Sequence, residues 1–334
     1  MVDSAFALQK KAIKIVYRTF WPSFKFRGIN HVKSFFLLNF LFKKTGFESL
    51  YFRLFKIFVT SIDSKLVLDI NLIKCYEPSA NIVIDMPTNY FLVQDFEWQV
   101  EEQKTGIKIS RRENTSSRIS QSYLDKHFEL CNSIVVPSTR SKESLPERFQ
   151  AKALVIPFAE KSLLKNKSIH HKKFNKILCI GLVCPSKGYH YMVEGFNILD
   201  EDFEIHFYGK INVKYKDYLI NLADDQIKLN FHGNVKQEYL FKIIPLHDLL
   251  VFPSVSEGLP LSAIQALNRK LPVFASKNSN LIDVLPEFCI YDTRDPLDFA
   301  KRFIAFKNKT NYNLKTDNFT ENHIITQWKK ILES

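Results

Sequence analysis

Residues 248–286, DLLVFPSVSEGLPLSAIQALNRKLPVFASKNSNLIDVLP, constrain the fold more than any other stretch of the chain. The run Leu249 to Phe252 is apolar at every position, so it needs cover on both faces, as a strand inside a parallel sheet has. Pro253-Ser254 ends it in a turn. After a loop over 254–258, Pro260 suits the first turn of a helix, where its missing N–H would have had no partner. Leu261, Ile264 and Leu267 give that helix an inward stripe, Leu271-Pro272 stops it, and 272–276 reads as the next strand. The unit is strand, loop, helix, strand, with the loop at the carboxyl end of a parallel sheet, where open α/β sheets hold ligands.

The loop carries its own chemistry. The amides of Gly258 and Leu259 would point out of the helix start and suit a phosphate. Glu257, the single carboxylate beside Ser256, would repel a phosphate and instead accepts hydrogen bonds from hydroxyls. Phosphate and hydroxyls together point to a nucleotide sugar.

These residues resemble the E-x7-E segment of the retaining glycosyltransferases of family 4, in the form FPSxxEGxPLxxxxAL…PVxAS, with Glu257 at the first acidic position. Gln265 stands at the second. The resemblance implies an α/β chain of the GT-B type, two Rossmann-like domains facing across a cleft. It implies that Glu257 contacts the donor sugar and that position 265 meets the nucleotide ribose. Gln265 can hydrogen-bond a ribose diol, less strongly than a carboxylate would; the competing reading is an exposed helix residue.

Two further loops carry the same resemblance. The family's G-R-x-x-x-x-K-G loop, whose Arg and Lys grip the donor diphosphate, corresponds to Gly181 through Gly188; Lys187-Gly188 is present, and Leu182 occupies the Arg position. Lysine at a helix start opposes the dipole, which favours a phosphate partner for Lys187. The loop His232-Gly233-Asn234-Val235 resembles the family's base-binding loop. The expected site therefore has Glu257 and Lys187 as catalytic residues. Donor contacts are expected from Gly181, Gly233, Asn234, Val235, Ser256, Gly258, Leu259, Pro260 and Gln265. The implied reaction moves a sugar from a nucleotide diphosphate to a glycan or lipid-linked acceptor with retention, in surface polysaccharide synthesis. Leu182 and Gln265 motivate a second reading, a degenerate member that binds a sugar nucleotide or a partner without transfer.

No metal or other cofactor is expected. Asp200-Glu201-Asp202 is a D-x-D, but it joins a helix to a strand at the edge away from the ligand loops and reads as a solvated turn. His170-His171 lies in a polar stretch without a third ligand. Asp85, near the end of the strand at 81–86, and Asn89 beyond it either face the cleft or, the preferred reading, take turn and capping roles. Glu101 and Glu102, neighbours on a helix over 97–106, do not share a face and form no catalytic pair.

At 334 residues the chain accommodates two domains. The expected division is an acceptor-binding domain over 1–160, a nucleotide-sugar domain over 161–318 that opens on a polar linker at 161–176, and a last helix at 319–334 that crosses back with Trp328 as its anchor. Five cysteines, without C-x-x-C spacing, suit buried thiols in a reducing compartment. The longest early apolar run, 34–42, is too short to span a bilayer, and no signal peptide precedes it, which implies a cytoplasmic protein.

Charge is uneven: residues 1–74 hold thirteen Lys and Arg against four Asp and Glu, nine of the twelve net positive charges. Interleaved Phe and Trp there suit an anionic membrane surface, with a peripheral position on the inner membrane. A Phe-rich core under a solvated basic face is the alternative. Nucleic acid finds no recognition motif and is not an expected partner.

Overall fold

The computed structural model describes residues 57–61, 81–86, 88–109, 125, 128–158, 168–170, 174–309, 311–314 and 321–333. The strand expected at 14–20, the helix expected at 31–44, and nearly all of the basic aromatic first quarter lie outside the described residues. None of the described helices is long and apolar enough to cross a membrane.

The chain is a mixed α/β protein of two Rossmann-like units built on parallel sheets. In the first sheet β1 (Ile57–Ser61), β2 (Asn81–Asp85), β3 (Ser133–Val136) and β4 (Ala153–Val155) lie in sequence order, all parallel. Strands buried on both faces must be apolar at successive positions, and Val83, Ile84, Ile134, Val135 and Val136 are all at most 1% exposed. Ile84, Ile134 and Val136 pack with Tyr90, Phe128 and Phe149 on one face. That face is flanked by helices α1 (Phe91–Thr105), α2 (Thr139–Glu143) and α3 (Glu147–Gln150). Helix α1 begins six residues before the helix expected from sequence. Val83, Val135 and Ile156 pack on the other face against Ile324, Trp328 and Ile331 of the last helix, Glu321–Glu333.

The polar stretch expected as a linker contains a short strand, β5 (Ser168–His170), paired antiparallel with Asn311–Asn313. Backbone pairing needs no apolar pattern, so nothing in the side chains announced it.

The second sheet contains β6 (Lys176–Ile180), β7 (Phe203–Tyr208), β8 (Ile227–Gly233), β9 (Leu249–Phe252), β10 (Val273–Ser276) and β11 (Ile290–Tyr291). Their spatial order is β11-β10-β9-β6-β7-β8, and every pairing is parallel. The chain runs outward from β6 through β7 to β8, then returns to β9 on the other side of β6. That reversal opens a crevice between the loops following β6 and β9, the place where such sheets receive ligands.

Helix α4 (Tyr189–Leu199) and the helix Pro296–Lys307 cover one face through Phe196, Phe203, Phe274, Phe299 and Phe303, in mutual ring contact that is mostly edge to face. Burying each such ring is worth about 1.5–3 kcal/mol. Gly195 permits the approach: a Cβ there would lie 2.3 Å from Phe299. Helix α5 (Val213–Leu222), which sequence reasoning passed over, is capped by Asn212 and buries Tyr215 and Leu219, four residues apart. A further helix, α6 (Gln237–Ile243), leads toward β9. Helix α7 (Leu261–Asn268) follows the organising loop; Ile264 and Leu267 are buried as expected, whereas Leu261 is 36% exposed and Ala263 takes its inward place.

Candidate active site

The loops after β6 and β7 are zipped together. Gly181 donates its N–H to the Tyr208 carbonyl at 2.9 Å, Val183 to the Lys210 carbonyl at 2.8 Å, and Asn212 to the Val183 carbonyl at 3.0 Å. Gly209, at φ 150°, sits so close that a Cβ would come within 1.8 Å of the Gly181 oxygen. Only glycine fits there. Above this seam lies a cavity of about 600 Å³ whose walls include Gly181, Leu182, Tyr208, Lys210, Asn234 and Val235, with Lys108 and Ile109 contributed by the first domain. Three of the residues expected to bind the donor, Gly181, Asn234 and Val235, thus share one cavity. Gly233, at φ 72°, sets the turn that presents the last two.

Lys187 ends a 3₁₀ turn, Pro185–Lys187, and Gly188 follows at φ 64° with the Pro253 carbonyl 2.2 Å from where a Cβ would stand. This close packing sets the β6 loop against the β9 loop. It brings the Lys187 ammonium onto the Glu257 carboxylate, and the two side chains are 17% and 18% exposed. The partner given to Lys187 here is therefore a carboxylate, where sequence reasoning expected a phosphate. The Lys187 side chain also runs along the cavity wall, its Cε 3.8 Å from a Cβ built on Gly181.

The backbone after Glu257 is held from the other side. Asn280 donates its side-chain N–H to the carbonyls of Glu257 and Gly258, the latter at 3.0 Å, and Ser138 of the first domain donates to the Gly258 carbonyl at 2.8 Å. Gly258, Leu259 and Pro260 are buried and do not line that cavity, and α7 starts only at Leu261. The open helix start anticipated at Gly258-Leu259 is thus replaced by a packed segment whose extended Pro260 postpones the helix. Gln265 is 6% exposed, which removes the reading of an exposed helix residue; its carbonyl accepts from Arg269 at 2.9 Å, and its side-chain amide has no hydrogen-bond partner among the described residues.

Asn89 does more than cap a turn. Its amide donates to Ser256 Oγ at 3.1 Å and its oxygen accepts from Ser141 at 2.9 Å and Asn280 at 2.8 Å, tying three segments of the two domains at one point. Beside it is a second cavity of about 240 Å³, walled by Glu97, Arg140, Glu143, Ser256 and Asn278 among others.

A buried ionic cluster also joins the domains. Glu101, fully buried on α1, accepts from Arg294 Nε at 2.6 Å and from Tyr191 OH at 3.3 Å, while Arg294 also meets Glu97 at 2.5 Å. His190 Nε2 lies 3.0 Å from the second Glu101 oxygen, and His190 Nδ1 lies 2.7 Å from the Tyr215 hydroxyl. Burial acts to raise the Glu101 pKa, but His190 and then Arg294 hold it below the usual carboxylate value; burial pushes His190 down, toward the neutral ring. The sequence predicts only that Glu101 forms no pair with Glu102. The available signal was its i, i+3 spacing from Trp98, which places a carboxylate on the helix's buried face.

Beneath the larger cavity Tyr208 stacks on His232 with centroids 4.3 Å apart, and His206 Nδ1 is 2.9 Å from His232 Nε2. Among the described residues, no group of three His, Cys, Asp or Glu is arranged to hold a metal ion. In the D-x-D segment Asp200 closes α4 in a left-handed conformation and Glu201 pairs with Lys307 at 2.5 Å, a surface turn. The four described cysteines, Cys131, Cys179, Cys184 and Cys289, are buried thiols outside any disulfide among the described residues.

Residues 160–323 match the family model described as glycosyl transferases group 1. A comparison with curated proteins finds no match. Among solved structures, Anabaena HepE in complex with UDP and glucose superposes with a TM-score of 0.55 at 12% identity, covering 88% of this chain and 83% of that one. An S. aureus TarM variant in complex with fondaparinux, alpha-GlcNAc-glycerol and UDP gives 0.54 at 16% identity, with 77% of this chain and 51% of that one covered. The pneumococcal O-GlcNAc transferase GtfA in complex with UDP and GlcNAc gives 0.51 at 16% identity, covering 79% and 54%. The chain spans about half the length of TarM and GtfA. At these identities the likeness is one of fold, two Rossmann-like domains in the GT-B arrangement.

Proposed function

We propose that this chain is a glycosyltransferase that moves a sugar from a nucleotide diphosphate donor to a hydroxyl of a glycan or lipid-linked acceptor. The single observation that carries the reading is the cavity at the carboxyl edge of the second sheet, where Gly181, Asn234 and Val235 converge beside the Lys187–Glu257 pair. The match of residues 160–323 to the group 1 family supports it.

In this reading the base and ribose enter over Asn234 and Val235, and the diphosphate lies along Gly181. Lys187 exchanges Glu257 for the departing phosphate, whose developing charge is the largest quantity such a site must stabilise. Glu257, so released, accepts hydrogen bonds from the donor sugar. Gln265, 6% exposed on α7, is available to the ribose. The smaller cavity, polar and shared by both domains, is the acceptor's entry; its volume suits one sugar ring. Retention of configuration, a place in surface polysaccharide synthesis and a peripheral membrane position belong to the same proposal.

The test is donor consumption by the purified chain against a panel of UDP-, GDP- and other sugar nucleotides. Glu257→Ala and Lys187→Ala should each cut transfer at least about a hundredfold while leaving thermal unfolding cooperative. Unchanged turnover in both variants would refute the assignment. Leu182 and Gln265, both departures from the family pattern, favour the second reading of a sugar-nucleotide binder without transfer. Saturable donor binding with no product from any acceptor would select it.

A further inference from the structure

We infer that Lys210 supplies the second cation for the donor diphosphate, in place of the arginine whose position Leu182 occupies. The inference rests on the donor reading above and names a residue that the sequence pattern does not.

The charge around the larger cavity is one-sided. Its walls carry two cations, Lys108 and Lys210, and no carboxylate. Lys187 runs beside the wall, yet its ammonium is matched by Glu257. Lys210 is exposed and, among the described residues, meets no carboxylate. A dianionic group lying along Gly181 therefore finds in Lys210 the one cation of the second domain's wall that has no competing anion to displace.

Its position is fixed by backbone. The Lys210 carbonyl accepts from Val183 N–H at 2.8 Å, Ile211 bridges Val183, and Gly209 is pressed onto Gly181. Residues 181–183 and 209–211 are thus two edges of one rim, with Leu182 and Lys210 neighbours across it, both facing the cavity. A side chain anchored on either edge reaches the same ligand, so the charge absent from one edge is present on the other. Lysine serves as a point charge where arginine would give a bidentate grip. That predicts a phosphate hold that depends on charge and tolerates exchange between the two edges of the rim.

The experiment is calorimetric titration of the full chain with UDP, GDP and ADP and with the corresponding nucleosides. For whichever diphosphate the wild type binds, Lys210→Gln should weaken binding about tenfold, about 1.4 kcal/mol, and leave nucleoside binding unchanged. Lys210→Arg should bind like the wild type, and Leu182→Arg added to Lys210→Gln should restore most of the loss. Equal diphosphate affinity in Lys210→Gln and wild type overturns the inference and leaves the donor reading standing. Equal loss for nucleoside and diphosphate also overturns it, since the residue would then act on the base. Absence of binding of any diphosphate to the wild type removes the donor reading and this inference with it. Lys210 is exposed, so the variants should melt with the wild type, and a lowered melting temperature in Lys210→Arg would count against a role through charge.

Discussion

Removing the arginine that joins Glu101 to the second domain tests the domain interface most directly. Arg294→Ala leaves a carboxylate with no solvent exposure facing Tyr191 and the buried ring of His190. Breaking a buried pair by deleting one partner typically costs about 3–5 kcal/mol, because the remaining charge is neither hydrated nor matched. The folded variant can limit that cost by taking up a proton, on Glu101 or on His190. In the wild type Glu101 is held below its ordinary pKa, so its contribution is complete above the carboxylate range and declines as pH falls through it. In the variant burial prevails, the folded-state pKa rises above the unfolded one, and stability is lost as pH rises through that raised value. The deficit relative to wild type should therefore be largest near pH 8 and shrink by up to about 1.4 kcal/mol per pH unit toward pH 5. Urea denaturation followed by tryptophan fluorescence suits the question, since Trp98, one of three tryptophans, packs with Ile109, Tyr191 and Val255 at this same interface. A deficit under about 1 kcal/mol with no change in its pH slope would refute the reasoning, because that is the behaviour of a solvated surface pair.

Two further perturbations probe the loops that shape the cavity and the histidines beneath it. Gly209→Ala forces a Cβ to 1.8 Å from the Gly181 oxygen at a φ of 150°, and should cost about 3 kcal/mol or more in thermal unfolding; a loss below about 1 kcal/mol would mean the two loops part freely. His247 donates its Nδ1–H to the Ile243 carbonyl at 2.8 Å and buries Nε2 with no partner among the described residues, and burial pushes its pKa down to about 4. Its contribution should be whole above about pH 6.5 and vanish by about pH 4, a difference on the order of 2–3 kcal/mol; His247→Gln should flatten that part of the stability profile, and parallel profiles for the two proteins would contradict the assignment.

What the sequence determined was local and periodic. The apolar run Leu249 to Phe252, the Pro and Gly punctuation around it, and the strand-helix alternation of the carboxyl-terminal half require only neighbours along the chain to interpret, and they specify a parallel sheet with its ligand loops at one edge. Gly181, Asn234 and Val235 were singled out by the resemblance of their loops to a known family's, and each follows a strand whose end the local pattern marks. The tertiary structure decided the pairings between distant loops. It set Lys187 against Glu257, seventy residues apart, where dipole arguments had supplied only a phosphate. It buried Gly258 and Leu259 beneath Ser138 and Asn280, and it turned Glu101 into an interdomain anchor through Arg294 and His190. A charge's partner is whatever the fold brings within a few ångströms, and that distance is fixed by strand order and domain closure, which no spacing along the chain encodes.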